Sequence, residues 1–204
     1  IDSGATIFKI QVDPSNSQIV YASTNKGLYK SSTGGASWQK MPGLPHSNLR
    51  GLAIDYANTG TIYVTLWPLG EEGGGTAQNG VYKSTDGGNT WTTKNSGLRL
   101  SGNYNEIVFD PKNPNILYTG DYSYQGVAVY RSTDGGNTWT PLTSTSNVEL
   151  VYRPYPNFWT GSTIVVVPSN PKVIYVADSN LFKTKDGGVT WQSVGWRDWW
   201  FVGL

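Results

Sequence analysis

Cysteine is absent from the 204 residues, and histidine occurs once, at His46. Those scarcities exclude a disulfide framework and thiolate or multi-histidine metal sites, and they leave little for a Ser–His–Asp arrangement. No metal and no cofactor are expected. Charge is scarce and balanced: 15 Lys and Arg face 14 Asp and Glu, for a formal net charge of +1. That balance carries no electrostatic footprint for nucleic acid or an anionic membrane. The best apolar run, Thr163 to Val167, is far short of a membrane span, so no membrane insertion is expected. Runs of Ala, Leu, Glu and Lys that would build helices are missing as well.

What remains is skewed toward turns and aromatics, with 25 Gly, 9 Trp and 13 Tyr. Short runs rich in Val, Ile, Thr and Tyr alternate with Gly, Asn, Ser and Pro clusters, which is the pattern of an all-β protein. One segment recurs four times. The copies are Leu28-Tyr-Lys-Ser-Ser-Thr-Gly-Gly-Ala-Ser-Trp38, Val81-Tyr-Lys-Ser-Thr-Asp-Gly-Gly-Asn-Thr-Trp91, Val129-Tyr-Arg-Ser-Thr-Asp-Gly-Gly-Asn-Thr-Trp139 and Leu181-Phe-Lys-Thr-Lys-Asp-Gly-Gly-Val-Thr-Trp191. Their tryptophans lie 53, 48 and 52 residues apart, a spacing that suits a four-stranded propeller blade.

A second element precedes each copy: an apolar strand, a turn around Asp13, Asp55, Asp110 or Ser169, and a strand ending in Tyr21, Tyr63, Tyr118 or Tyr175. Together the two elements predict blades of four antiparallel strands, A to D, over 5–47, 48–101, 102–150 and 151–194. Residues 195–204 would start a further blade, so the chain reads as part of a larger propeller. Self-association of two copies and closure of a ring of only four blades are the other expected ways to cover its open ends. Within each box the Asp (Asp86, Asp134, Asp186) is expected to accept N–H groups of its own turn, assisted by Ser84 and Ser132. The Gly pair supplies positive φ, and Trp38, Trp91, Trp139 and Trp191 are expected to be largely buried at equivalent places. Thr33 replaces the Asp in the first box, so that turn should be held less firmly.

This constellation resembles the Asp-box, or BNR, repeat of sialidases, sortilin-type receptors and family 74 glycoside hydrolases, the xyloglucanases. The stretch Trp159-Thr-Gly-Ser-Thr-Ile and the preceding Pro154-Tyr-Pro are also similar to xyloglucanase sequence. The resemblance implies a secreted propeller whose boxes are structural turns placed away from the ligand site. It implies two catalytic aspartates on different propellers of the whole enzyme. Neither is matched here by its surrounding motif, and Asp121, expected in a B–C loop, is only a weak catalytic candidate.

Topology separates the faces. A–B turns and boxes must share one face, and B–C loops and D–A connections the other. The second face is irregular and aromatic, carrying Trp67, Tyr122, Tyr124, Tyr152, Tyr155, Phe158, Trp159, Trp196, Trp199 and Trp200. Arg153, Glu71, Glu72, Asp178 and Asp198 accompany them. One reading is a groove of flat rings stacking on the sugars of a polysaccharide or oligosaccharide such as β-glucan or xyloglucan. The other is that the rings pack the loops onto the blades, leaving a non-catalytic module for protein binding, assembly or surface structure.

Overall fold

The computed structural model describes residues 1–67, 79–99, 102–123, 126–142, 163–177 and 181–195. Within them lie four antiparallel four-stranded sheets and no helix. The first blade comprises β1 (Ile7–Asp13), β2 (Asn16–Thr24), β3 (Gly27–Ser31) and β4 (Gln39–Lys40); the second β5 (Leu49–Ile54), β6 (Ile62–Leu66), β7 (Gly80–Ser84) and β8 (Thr92–Thr93). The third has β9 (Tyr104–Asp110), β10 (Asn113–Ser123), β11 (Gly126–Ser132) and β12 (Thr140–Pro141), and the fourth β13 (Thr163–Val166), β14 (Ile174–Ala177), β15 (Leu181–Thr184) and β16 (Gln192–Gly195). Each sheet is a meander in chain order, and inner strands stack in sequence, β1 on β5, β5 on β9 and β9 on β13. The chain is an all-β propeller.

The core lies between blades. One layer joins Tyr21 and Leu28 of the first blade to Leu52, Ile54, Ile62 and Val64 of the second. The next joins Ala53, Tyr63 and Val81 to Ile107, Leu117 and Tyr130, and the last joins Tyr118 and Val129 to Ile164, Val166, Ile174 and Val176. Strand alternation produces this. Successive residues of a strand face opposite neighbours, so both faces of a middle blade must be apolar.

The boxes are turns held by their own side chains. Asp86 Oδ1 accepts the Thr90 N–H at 2.9 Å, the Asn89 N–H at 3.0 Å and the Ser84 hydroxyl at 2.8 Å. Its Oδ2 accepts the Thr90 hydroxyl at 2.6 Å. Asp134 repeats the pattern with Ser132 and Thr138, and Asp186 with Thr184, Val189 and Thr190. Hydrogen bonds to the ionised form, led by the Thr90 and Thr138 hydroxyls, hold Asp86 and Asp134 at pKa values of about 2. In the first box Thr33 Oγ1 accepts the Ser37 N–H at 2.9 Å and lies 3.0 Å from the Ser37 hydroxyl, so one neutral oxygen does what two carboxylate oxygens do elsewhere. Two substitutions test the turn. Asp134→Ala should lower the melting temperature by a few degrees, and Thr33→Asp should raise it by a smaller amount, read by calorimetry.

Each box is tied to its own blade, and the second and third boxes also to the blade before them. The first glycine of each box donates to the A–B turn of its own blade: Gly34 to Gln18 O, Gly87 to Gly60 O, Gly135 to Asn115 O and Gly187 to Lys172 O. The same glycine's carbonyl accepts the strand-B tyrosine of the preceding blade, Tyr21 to Gly87 O at 3.2 Å and Tyr63 to Gly135 O at 2.8 Å. These bonds place the A–B turns and boxes together on one face.

The tryptophans depart from expectation. Trp139 is buried, whereas Trp38, Trp91 and Trp191 are half-buried. The rings of Trp91, Trp139 and Trp191 lie across the end of the preceding blade rather than inside their own sheets. Trp91 Nε1 donates to Pro42 O at 3.2 Å and to Gly88 O at 3.1 Å, and Trp139 Nε1 donates to Lys94 O at 2.8 Å. Trp191 packs in the layer that holds Leu142. Trp38 has no preceding blade among the described residues, and its Nε1 bonds to Gly35 O of its own turn.

Candidate functional site

Inner strands begin, and B strands end, at the face opposite the boxes. At that end the ladders of the first three blades carry one extra residue on the inner strand. Phe8 is left out between the Ile7↔Thr24 and Lys9↔Ser23 pairs. Arg50 and Gly51 together oppose Thr65, and Asn105 is left out between the Tyr104↔Asp121 and Glu106↔Gly120 pairs. Such bulges bend a strand and re-aim a side chain, and they recur beside binding sites.

The first two bulges meet Trp67, one of the expected ligand rings. The Arg50 guanidinium lies 3.9 Å from the Phe8 ring centre and 5.0 Å from that of Trp67. Trp67 follows β6, is half-buried, and its N–H donates to Asn48 O at 2.9 Å. A cation against an aromatic face, partly removed from water, holds both rings in place. Burial lowers the Arg50 pKa.

Beneath this cluster Lys9 Nζ reaches Glu106 Oε1 at 2.9 Å and Oε2 at 3.2 Å. The pair joins the first blade to the third, passing the second where that blade has Gly51. A Cβ at Gly51 would sit 2.7 Å from Thr65 Oγ1 and 3.0 Å from the Ile107 nitrogen, so only glycine fits. Glu106 is buried, and its pKa is raised by desolvation against the opposing pull of Lys9.

Asp121 lies within β10 rather than in a B–C loop. The hairpin continues through Tyr122↔Val127 and Ser123↔Gly126, because β-branched and aromatic residues extend the ladder past the expected turn. The carboxyl group is fully buried. Oδ1 accepts the Asn103 N–H at 2.7 Å, and Oδ2 is 3.4 Å from Arg99 Nη1. Burial raises its pKa, opposed by the Asn103 N–H and Arg99. Tyr104 fixes the adjoining loop by donating to Arg99 O at 2.8 Å.

Tyr122 is placed by its backbone in β10. Tyr124, Arg153, Tyr155, Trp159, Trp196, Trp199 and Trp200 lie outside the described residues, as do Glu71, Glu72, Tyr152, Phe158, Asp178 and Asp198. Among the described residues no group of three or more His, Cys, Asp or Glu could hold a metal. His46 rims a cavity of about 350 Å³ between the first blade's B–C turn and its D–A connection, lined also by Leu28, Lys40, Met41 and Leu44. Sequence reasoning missed Phe8, Arg50, Lys9 and Glu106. The available signal was a charge or a glycine (Lys9, Gly51, Glu106) at one register position shared by the three inner strands.

A scan against protein-family models finds no match. Curated proteins do match. The chain is 36% identical over 219 residues to the xyloglucanase Xgh74A of Acetivibrio thermocellus, covering 91% of this chain and 25% of that protein. It is 29% identical over 223 residues to a xyloglucanase of Paenibacillus sp, covering 91% of this chain and 20% of that one. The chain is GH74-like. Solved structures agree: the GH74 enzyme of Niastella koreensis superposes with a TM-score of 0.68 at 25% identity, covering 90% of this chain and 28% of that one. An ancestral GH74 enzyme gives 0.72 at 22% identity, covering 96% and 25%, a likeness of fold. The GH74-like chain thus spans about a quarter of the length of these relatives.

Proposed function

We propose that this GH74-like propeller binds β-glucan or xyloglucan chains on the face opposite its boxes, as a secreted carbohydrate-active unit. The observation that carries the reading is the 36% identity across nearly the whole chain to a protein named a xyloglucanase. The clamped ring of Trp67 supports it physically. A sugar ring's apolar face stacks on a flat aromatic surface, and a ring already held against Arg50 loses little freedom when it binds. Arg50 and Asn105, re-aimed by the neighbouring bulges, supply donors for hydroxyl groups. Tyr122, Tyr124, Arg153, Tyr155, Trp159, Trp196, Trp199 and Trp200 extend the same aromatic surface in this proposal.

Hydrolysis asks for more than this surface. Glycoside cleavage uses two carboxyl groups flanking the bond, about 6.5–9.5 Å apart for inversion. Asp121 has the raised pKa of a general acid but is enclosed by Asn103 and Arg99. Binding is therefore the activity proposed for this chain, with Asp121 a candidate acid only alongside a second carboxylate. Titration calorimetry with xyloglucan and cellulose oligosaccharides tests the reading. Covering about 60 Å² of apolar ring is worth about 1.5 kcal/mol, so Trp67→Ala should weaken binding by roughly tenfold in a chain that still folds cooperatively. Absence of heat from the unaltered chain with every glucan would refute it.

A further inference from the structure

We infer that Arg99 is a ligand-contacting residue of the face opposite the boxes, and that Asp121 is its positioning residue. The buried carboxylate holds the guanidinium where it can donate to an oxygen of a bound glycan. The class of ligand rests on the carbohydrate reading above, whereas the roles of the two residues rest on the third blade's own geometry.

Nothing in the ladder asks for a carboxylate here. At this end of the first three blades Ile7, Leu49 and Tyr104 pair with Thr24, Leu66 and Asp121. A threonine and a leucine therefore fill the same register position in the first two blades, buried as completely as Asp121. Nor does the N–H that Asp121 accepts ask for a charge. Asn103 precedes Tyr104 as Asn48 precedes Leu49, and the Asn48 N–H is met by an uncharged acceptor, His46 Nδ1, at 3.4 Å.

A fully buried carboxylate is costly unless a cation stands beside it. Among the described residues that cation is Arg99, with Nη1 3.4 Å from Oδ2. Oδ2 accepts no hydrogen bond, so charge makes this contact rather than one of the five guanidinium donors.

Arg99 is fixed at its backbone as well. Its carbonyl accepts the Tyr104 hydroxyl at 2.8 Å and the Gly102 N–H at 3.0 Å, and Leu98 before it is buried in the seam between the second and third blades. Its side chain nevertheless keeps 37% of its surface exposed. A guanidinium so held is a donor fork whose direction is set before a ligand arrives, and such donors lose little freedom on binding. Sugar hydroxyl and ring oxygens accept from it in charge-assisted bonds, which are stronger than those between neutral groups. Arg50 presents a second guanidinium at the same end of the neighbouring blade, held by rings instead of a carboxylate.

Titration calorimetry with xyloglucan and cellulose oligosaccharides tests this, together with NMR of the arginine side chains. Asp121→Asn keeps an acceptor for the Asn103 N–H and removes the charge, so the chain should still melt cooperatively. Its glucan affinity should fall roughly tenfold, the loss of one charge-assisted hydrogen bond. Adding Arg99→Gln to Asp121→Asn should weaken binding by less than about threefold more, since the carboxylate acts only through that guanidinium. In the unaltered chain, oligosaccharide should shift the Arg99 Nε–H resonance, a response that a purely structural pair would not give. Oligosaccharide binding that Asp121→Asn leaves unchanged overturns the inference, as does an Arg99 resonance that the ligand does not move. Either result leaves the carbohydrate reading of this face intact. No heat from the unaltered chain with any glucan overturns that reading, and this inference with it.

Discussion

Gly97→Ala should lower the melting temperature of the chain by roughly 10 °C, the largest effect expected of any single methyl group in the described residues. Gly97 has a φ of 89° and precedes the Leu98 that enters the seam between the second and third blades. An added Cβ would land on the Trp139 carbonyl oxygen, with the Trp139 nitrogen 3.3 Å away. Neither can yield, because Trp139 N–H donates to Ser96 O at 2.9 Å and its indole donates to Lys94 O. Left-handed backbone costs an alanine about 1–2 kcal/mol, and displacing backbone at a packed seam adds at least as much again. The total, about 4 kcal/mol, corresponds to that shift for a domain of this size. Gly187 supplies the control. Its φ is 79°, and nothing lies within 4 Å of a Cβ there, so Gly187→Ala should lose only the backbone strain. Equal melting shifts for the two variants would show that the seam contact at Trp139 contributes nothing.

The blades were legible in sequence because their determinants are local and repeated. Asp86 reaches only Ser84, Asn89 and Thr90, so the box can be read within seven residues of chain. The seams were half legible. That Trp91 is large and apolar is visible, but that it lies over Pro42 depends on the rotation between blades, which no spacing records. The candidate site was least legible, because bulges break the period of two without changing composition. Phe8 and Arg50 look like ordinary strand residues until the register slips by one and brings Phe8 against Arg50, and Arg50 against Trp67. Asp121 was misplaced for the opposite reason. Its strand runs on through Ser123, and a carboxylate that reads as a loop residue is buried behind Asn103.

The Lys9–Glu106 pair should govern stability in a pH window of its own. Lys9→Met leaves a buried carboxyl group without its cation, a change that costs about 3 kcal/mol when the charge must stay. At neutral pH the melting temperature should therefore fall by roughly 6–12 °C. The sign of the pH dependence follows from the direction of the shift. Glu106 has a pKa above its ordinary value in the folded chain even with Lys9 present, and losing Lys9 removes the chief force opposing that rise. A group shifted upward contributes stability that is fully present below its unfolded pKa and is lost as pH rises through the folded one. The deficit of Lys9→Met should thus be small at pH 4 and grow toward pH 8. The box aspartates run the other way. Asp86 and Asp134, held at about 2, contribute stability present above 3.8 and lost only as pH falls further, so they leave the window from 4 to 8 undisturbed. Lys9→Met combined with Glu106→Gln removes the charge along with its partner and should recover most of the loss at every pH. A deficit that stays constant between pH 4 and 8, or that the double variant fails to repair, would mean that Lys9 acts by packing beside Phe8 rather than through the charge on Glu106.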